Sequence, residues 1–175
     1  MTASELTLNA EAEKDLLRRC WMWHDARWFA AVAGEFGMEA ANRINRHNVR
    51  ALGQTEMRRL MKALAVDRVE CLAEALELYN AGRVLYVPPS LMDAEVGAVT
   101  SDSYEVVFRR CFVHENIVRA GIAATYECAV FDRIQGWHDA WGLPLVEDLP
   151  VRTCALAAGE QCRQRFAMRQ ERRDV

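Results

Sequence analysis

The side chains best suited to chemistry fall in two groups. The first is the run Trp21-Met22-Trp23-His24-Asp25-Ala26-Arg27-Trp28. If it is helical, positions 17, 21, 24, 28 and 32 share one face, and His24 sits between Trp21 and Trp28. An imidazole held between indoles can bind a planar ligand or act as an acid/base group, its basicity set by desolvation against any neighbouring carboxylate. Asp25 projects about 100° away from it on such a helix and is badly placed to orient the ring. Arg27, one turn from Trp23, offers a planar fork for a carboxylate. The competing reading is a core histidine bonded to a backbone carbonyl, with the tryptophans as packing.

The second group is made of thiols. Of six cysteines, Cys20 and Cys71 come early, while Cys111, Cys128, Cys154 and Cys162 all follow Arg110. No Cys-x-x-Cys spacing occurs among them, so a zinc or iron-sulfur centre requires the fold to bring distant thiols together. His114 follows Cys111 by three residues. A Cys-His pair from these segments is either a nucleophile with its base or part of a metal site. Cys128 or Cys111 would be the nucleophile or metal ligand, His24 or His114 the acid/base, Arg27 or Arg119 the carboxylate anchor, and Trp137 an apolar wall. Against this stands the common fate of isolated thiols, burial as small hydrophobes.

The elements that must position these groups are mostly helices at first. Asn9 is suited to cap a helix with Glu11 and Glu13 in its first turn, running through Leu16, Leu17, Trp21, Trp28 and Val32 until Gly34 and Gly37 loosen or end it. A second helix from about Met38 carries Ala41, Ile44, Asn48 and Leu52. Gly53 is expected to interrupt it, and Thr55 to cap a third segment with Leu60, Met61 and Leu64. Asp67 with Glu70 resembles a capping box for a further helix that stops at Asn80-Ala81-Gly82. The polar run Asn42 to Asn48 reads as a solvated or interface-facing surface, with Asn45 and Asn48 as the amides able to reach a ligand.

After Gly82 the helical period is lost. Val84 to Val87 reads as a short strand ended by Pro88-Pro89. Glu95 to Thr100 and Tyr104 to Phe112 read as a hairpin around Ser101-Asp102-Ser103. Gly121 to Trp141 is helical again, with Cys128 on the face of Ala124, Phe131 and Gln135. Val151 to Met168 reads as a closing hairpin that turns at Ala158-Gly159-Glu160 and sets Cys154 and Cys162 on one face if its loop has three residues. The expected architecture is α+β: N-terminal helices packed on a small antiparallel sheet, a long helix after the central strands, and a C-terminal β-hairpin. It forms one domain over residues 1–175, helical from about 9 to 82 and mixed from about 83 to 168, with a frayed tail at 169–175. One short echo stands out, Trp23-His24-Asp25-Ala26 and Trp137-His138-Asp139-Ala140.

The chain has 175 residues, 51% of them hydrophobic and 27% charged, with nine Gly and four Pro, a composition that builds a globular core. A net charge of −3 argues against a general nucleic-acid binder, which needs a basic surface. The opening MTASELTLNAEAEKD carries four acidic residues and no apolar run, unlike a secretory signal, and no stretch matches the ~20 apolar residues of a membrane span. A cytoplasmic location is the expectation, with reduced thiols. No phosphate loop, dinucleotide fingerprint, zincin motif or nucleophile elbow is present.

The stretch His24-Asp25-Ala26-Arg27-Trp28-Phe29, then Phe36-Gly37-Met38-Glu39-Ala40-Ala41 and the Asn45 helix, resembles the opening of an uncharacterised prokaryotic domain family. Cys111, Arg119, Gly121 and Cys128 match its later Cys, Arg, Gly, Cys pattern. The ending Arg152-Thr153-Cys154-Ala155-Leu156-Ala157-Ala158-Gly159-Glu160-Gln161-Cys162 with Phe166 is similar to the closing hairpin of L-2-amino-thiazoline-4-carboxylic acid hydrolase-like proteins, themselves similar to 4-vinyl reductase-like small-molecule-binding domains. Ala26 stands where the first family has Gly, and Gln164-Arg165 lengthens the usual Cys-x-Phe ending. The resemblance implies an α+β ligand-binding domain with cysteines near its pocket, and relatives that include ring-opening hydrolases. Three expectations follow. The first is a cytosolic small-molecule-binding domain hydrolysing a small cyclic or heteroaromatic compound with a Cys/His site. The second is a non-catalytic sensor holding zinc, an iron-sulfur cluster or an effector. The third is an accessory protein that forms a homo-oligomer through exposed tryptophans.

Overall fold

The computed structural model describes residues 7–169. The chain divides into two compact units, with the boundary between Ala41 and Asn42. Fraying of the tail beyond Arg169 lies outside the described residues.

In the first unit, α1 (Ala10–Phe36) starts as its sequence dictates: the Asn9 side chain accepts from the Ala12 N–H at 2.9 Å, with Glu11 and Glu13 in the first turn. It passes through Gly34 and ends at Gly37, whose φ of 84° suits glycine and whose N–H donates to the Ala33 carbonyl at 3.1 Å. None of its residues is buried.

α2 (Met38–Ala63) carries the chain into the second unit as one helix rather than the two expected. Gly53 is not a break. A Cβ there would stand 2.2 Å from the Arg133 carbonyl oxygen, so the missing side chain lets two helix backbones touch. Gly136 answers from the other helix, where a Cβ would meet the Arg50 carbonyl oxygen at 2.1 Å. Thr55, expected as a cap, instead donates back to the Ala51 carbonyl at 3.0 Å inside the continuous helix.

α3 (Leu72–Tyr86) is capped from within: the Glu74 carboxylate accepts from the Glu70 N–H at 2.8 Å, in place of the expected Asp67–Glu70 box. It runs past Gly82, which packs against Met57 and Trp137, so Val84-Leu85-Tyr86 form its last turn and not a strand. Tertiary packing overrides the local stop signal here.

β1 (Met92–Gly97) and β2 (Ser103–Cys111) form the expected hairpin, joined by a turn in which the Thr100 N–H donates to the Ser103 carbonyl at 2.8 Å. α4 (Phe112–Arg119) follows directly, and α5 (Val130–Trp141) begins nine residues later than the expected helix start at Gly121, leaving Cys128 in the connecting loop. The closing segment supplies one strand, β3 (Cys162–Ala167), preceded by a short 3₁₀ turn (Leu156–Ala158), so the expected C-terminal hairpin is absent. β3 pairs antiparallel with β2, giving the order β1-β2-β3. Residues 151–155 form no strand because their polar backbone groups find other partners, among them the Arg152 carbonyl, which accepts from the Cys128 N–H at 2.8 Å.

Mixed α+β architecture is thus the observed class. One face of β2 carries Tyr104, Val106 and Phe108, all buried, as the period-2 pattern requires. Tyr104 stacks on Phe166 of β3 and meets Tyr79 of α3 edge-on, and Phe108 meets Phe131 of α5. This core fixes α3 and α5 on the sheet. Among the described residues no helix is long and apolar enough to cross a membrane.

Candidate functional site

Sequence-distant thiols do converge. Cys111 ends β2, Cys162 starts β3 opposite Phe108, and Cys128 is tied to Arg152 by the backbone bond given above. Cys154 follows two residues later. His114 stands in the first turn of α4. All four thiols and His114 line one small chamber at this end of the sheet, together with Arg152, Phe131 and Tyr126. Its volume is about 10 Å³, room for about one water.

The Cys-His pair that forms is not one the spacing suggested. His114 Nδ1 lies 3.7 Å from Cys154 Sγ, whereas the sequence offered Cys111 or Cys128 as its nucleophile. Burial pushes the Cys111 thiol up to about 12, opposed by a bond from the His114 backbone N–H. Burial likewise pushes Cys128 up to about 12 and raises Cys162, with the Arg152 charge pulling both the other way. So raised, Cys111 and Cys128 are neutral thiols at pH 7, weak as nucleophiles and as ligands. The fold gathers the four cysteines, but among the described residues no group of three or more His, Cys, Asp and Glu side chains is arranged to hold a metal ion.

Beside the chamber an open groove of about 380 Å³ runs along β1 and β2. That volume lies in the range of small-molecule sites. Glu95 and Arg109, which pair with each other, line it with Gln161, and Phe108, Leu156 and Cys162 border both groove and chamber.

The other expected site residues are placed elsewhere. Trp137 is a core residue rather than a ligand wall: it is buried on α5, meets Tyr79 edge-on and donates from Nε1 to Glu56 at 3.3 Å. Arg119 is exposed at the end of α4, its Nη1 3.4 Å from the Asn116 side chain, and does not line the chamber. Trp21, His24, Arg27 and Trp28 are exposed on α1 in the first unit, where Trp28 Nε1 donates to His24 Nε2 at 3.2 Å. The chamber is built wholly from the second unit.

Sequence reasoning missed two contributors. Asn42, inside the polar run, donates to the Thr125 carbonyl at 2.7 Å and accepts from the Glu127 N–H at 3.1 Å, pinning the loop that carries Cys128. Asn45 similarly donates to the Tyr126 hydroxyl at 3.3 Å, so these amides hold structure rather than ligand. The second is Arg152, whose guanidinium lies over the Phe131 ring at 4.4 Å. The signal available for it was its place beside Cys154 in the closing stretch.

Fold and site together define an α+β domain with a buried Cys/His centre next to a surface groove. The chain belongs to a family of unknown function, DUF6125, whose model matches residues 10–129. That segment includes Cys111, His114 and Cys128 and stops short of Arg152, Cys154 and Cys162. Nothing among curated proteins and nothing among solved structures matches the chain.

Proposed function

We propose that this protein is a cytosolic small-molecule-binding domain that hydrolyses a small cyclic or heteroaromatic compound, with Cys154 as nucleophile and His114 as its base. The observation that carries this reading is the 3.7 Å contact between His114 Nδ1 and Cys154 Sγ at a chamber lined by three further thiols. The groove offers the volume a ligand needs, and the reaction class is the one suggested by the resemblance read from the sequence of the closing stretch. In this scheme His114 takes the thiol proton as the Cys154 sulfur bonds to a ring carbonyl carbon adjacent to nitrogen. The ring C–N bond then breaks, and His114 returns the proton to the departing nitrogen. Water, activated by the same imidazole, cleaves the thioester and restores the thiol.

Native protein treated with iodoacetamide and mapped by peptide mass tests the centre. Cys154 is expected to label ahead of Cys111 and Cys128, and His114→Gln to slow it by about 10²-fold. Turnover of a panel of cyclic amides and heteroaromatic rings is expected to vanish in Cys154→Ser. Labelling of Cys154 no faster than its buried neighbours, or unaffected by loss of His114, would refute the assignment.

A further inference from the structure

Arg152 is held on several sides and left open on one. Its carbonyl accepts from Cys128, its Nη1 donates to the Arg163 carbonyl at 3.1 Å, and its guanidinium rests on the Phe131 ring. Its Nη2 is buried and, among the described residues, has no hydrogen-bond partner. Leaving a buried charged donor unmet costs far more than making its bond gains, so such groups are normally satisfied. The donor belongs to a residue that lines the thiol chamber, and its charge reaches the Cys128 and Cys162 thiols.

We infer that Arg152 is the anion-binding residue of the site, its Nη2 receiving an anionic group of the ligand while the rest of that ligand lies toward the groove. The inference rests on the Cys154–His114 reading and adds to it a charge requirement on the substrate. The chamber has room for about one water, which matches a single acceptor atom rather than a whole ligand. The groove is the neighbouring space, since Phe108, Leu156 and Cys162 border both. Arginine suits this role because its planar fork can keep one bond to the protein while offering another to an oxyanion. Arg119, an anchor suggested by sequence within the same unit, does not line the chamber.

Two alkylating probes of nearly equal shape separate charge from access: iodoacetate, an anion, and iodoacetamide, its neutral counterpart. In each case the Cys154 sulfur displaces iodide, His114 takes the thiol proton, and a thioether forms. The ratio of iodoacetate to iodoacetamide rates at Cys154 is expected to exceed that of the same cysteine in denatured protein by about tenfold and to fall back in Arg152→Gln, with Arg152→Lys between. A second measurement needs no variant: acetate should slow iodoacetamide labelling of the wild-type chain, and acetamide should not. Labelling of Cys154 without preference for the anion, and without protection by acetate, overturns the role of Arg152 alone, as a water on Nη2 would predict. No preferential labelling of Cys154 by either reagent overturns the Cys-His reading and this inference with it.

Discussion

Two stretches of this chain share four letters and almost nothing else. Trp137-His138-Asp139-Ala140 lies on α5, where Trp137 and His138 are buried. His138 Nδ1 donates to the Leu143 carbonyl at 3.1 Å, which leaves Nε2 to accept from the Tyr104 hydroxyl at 2.8 Å. Asp139 forms a fork with Arg50 at 2.7 and 2.9 Å. Trp23-His24-Asp25-Ala26 lies on α1, a helix without a buried residue. A motif of aromatic, imidazole and carboxylate is therefore neither site nor core by composition. What surrounds it decides, and on α5 the surroundings are the sheet, α2 and α3.

That contrast can be broken at graded cost. Trp137→Ala empties part of the core and is expected to lower stability by about 3–5 kcal/mol. Trp28→Ala, on the exposed helix, should stay within about 0.5 kcal/mol. Denaturant midpoints for the two variants compare them directly, and equal losses would deny that α1 is unburied.

A second difference is one of protonation. Burial lowers the His138 pKa from about 6.5 to about 4, the Leu143 bond acting the other way. The unfolded chain therefore binds the proton more readily. Stability from neutral His138 is fully present above pH about 6.5 and lost as pH falls toward about 4, a change of about 3 kcal/mol at most. Denaturation from pH 7 to 4 should show a steeper loss for the wild type than for His138→Gln; parallel curves would contradict the buried neutral imidazole.

The smallest effects sharpen the comparison through glycine. Gly53→Ala drives a methyl into the Arg133 carbonyl and is expected to cost about 1–3 kcal/mol. Gly34→Ala on α1 meets nothing within 4 Å and should raise stability by about 0.5–1 kcal/mol through helix propensity. Opposite signs in thermal unfolding are the expected result.

Much of the secondary structure was legible because its signals are local. The Asn9 cap, the Gly37 stop and the hairpin at Ser101-Asp102-Ser103 are written within a few residues of where they act. The failures share one cause. Gly53, Gly82 and Thr55 carry stop or cap signals that are overridden by partners far along the chain: the Arg133 backbone, the Met57 and Trp137 side chains, and the α2 helix that continues through Thr55. The closing hairpin failed likewise, since the Arg152 carbonyl accepts from the Cys128 N–H and β3 forms its ladder with β2 instead of with residues 151–155. For the candidate site, the sequence named the four thiols and His114 that line the chamber, but not that His114 stands against Cys154 rather than Cys111 or Cys128.

By itself the sequence determined the α+β class, the start and end of α1, the central hairpin, and the clustering of four cysteines after Arg110, because periodicity, caps and turns act over short distances. Only the tertiary structure decided that His114 meets Cys154, that Trp137 is core, and that Arg152, which lines the chamber, has a buried Nη2 without a hydrogen-bond partner among the described residues. Those facts depend on β3 pairing beside β2 and on the Arg152 carbonyl binding the Cys128 backbone, contacts between residues too distant in the chain for any local pattern to encode.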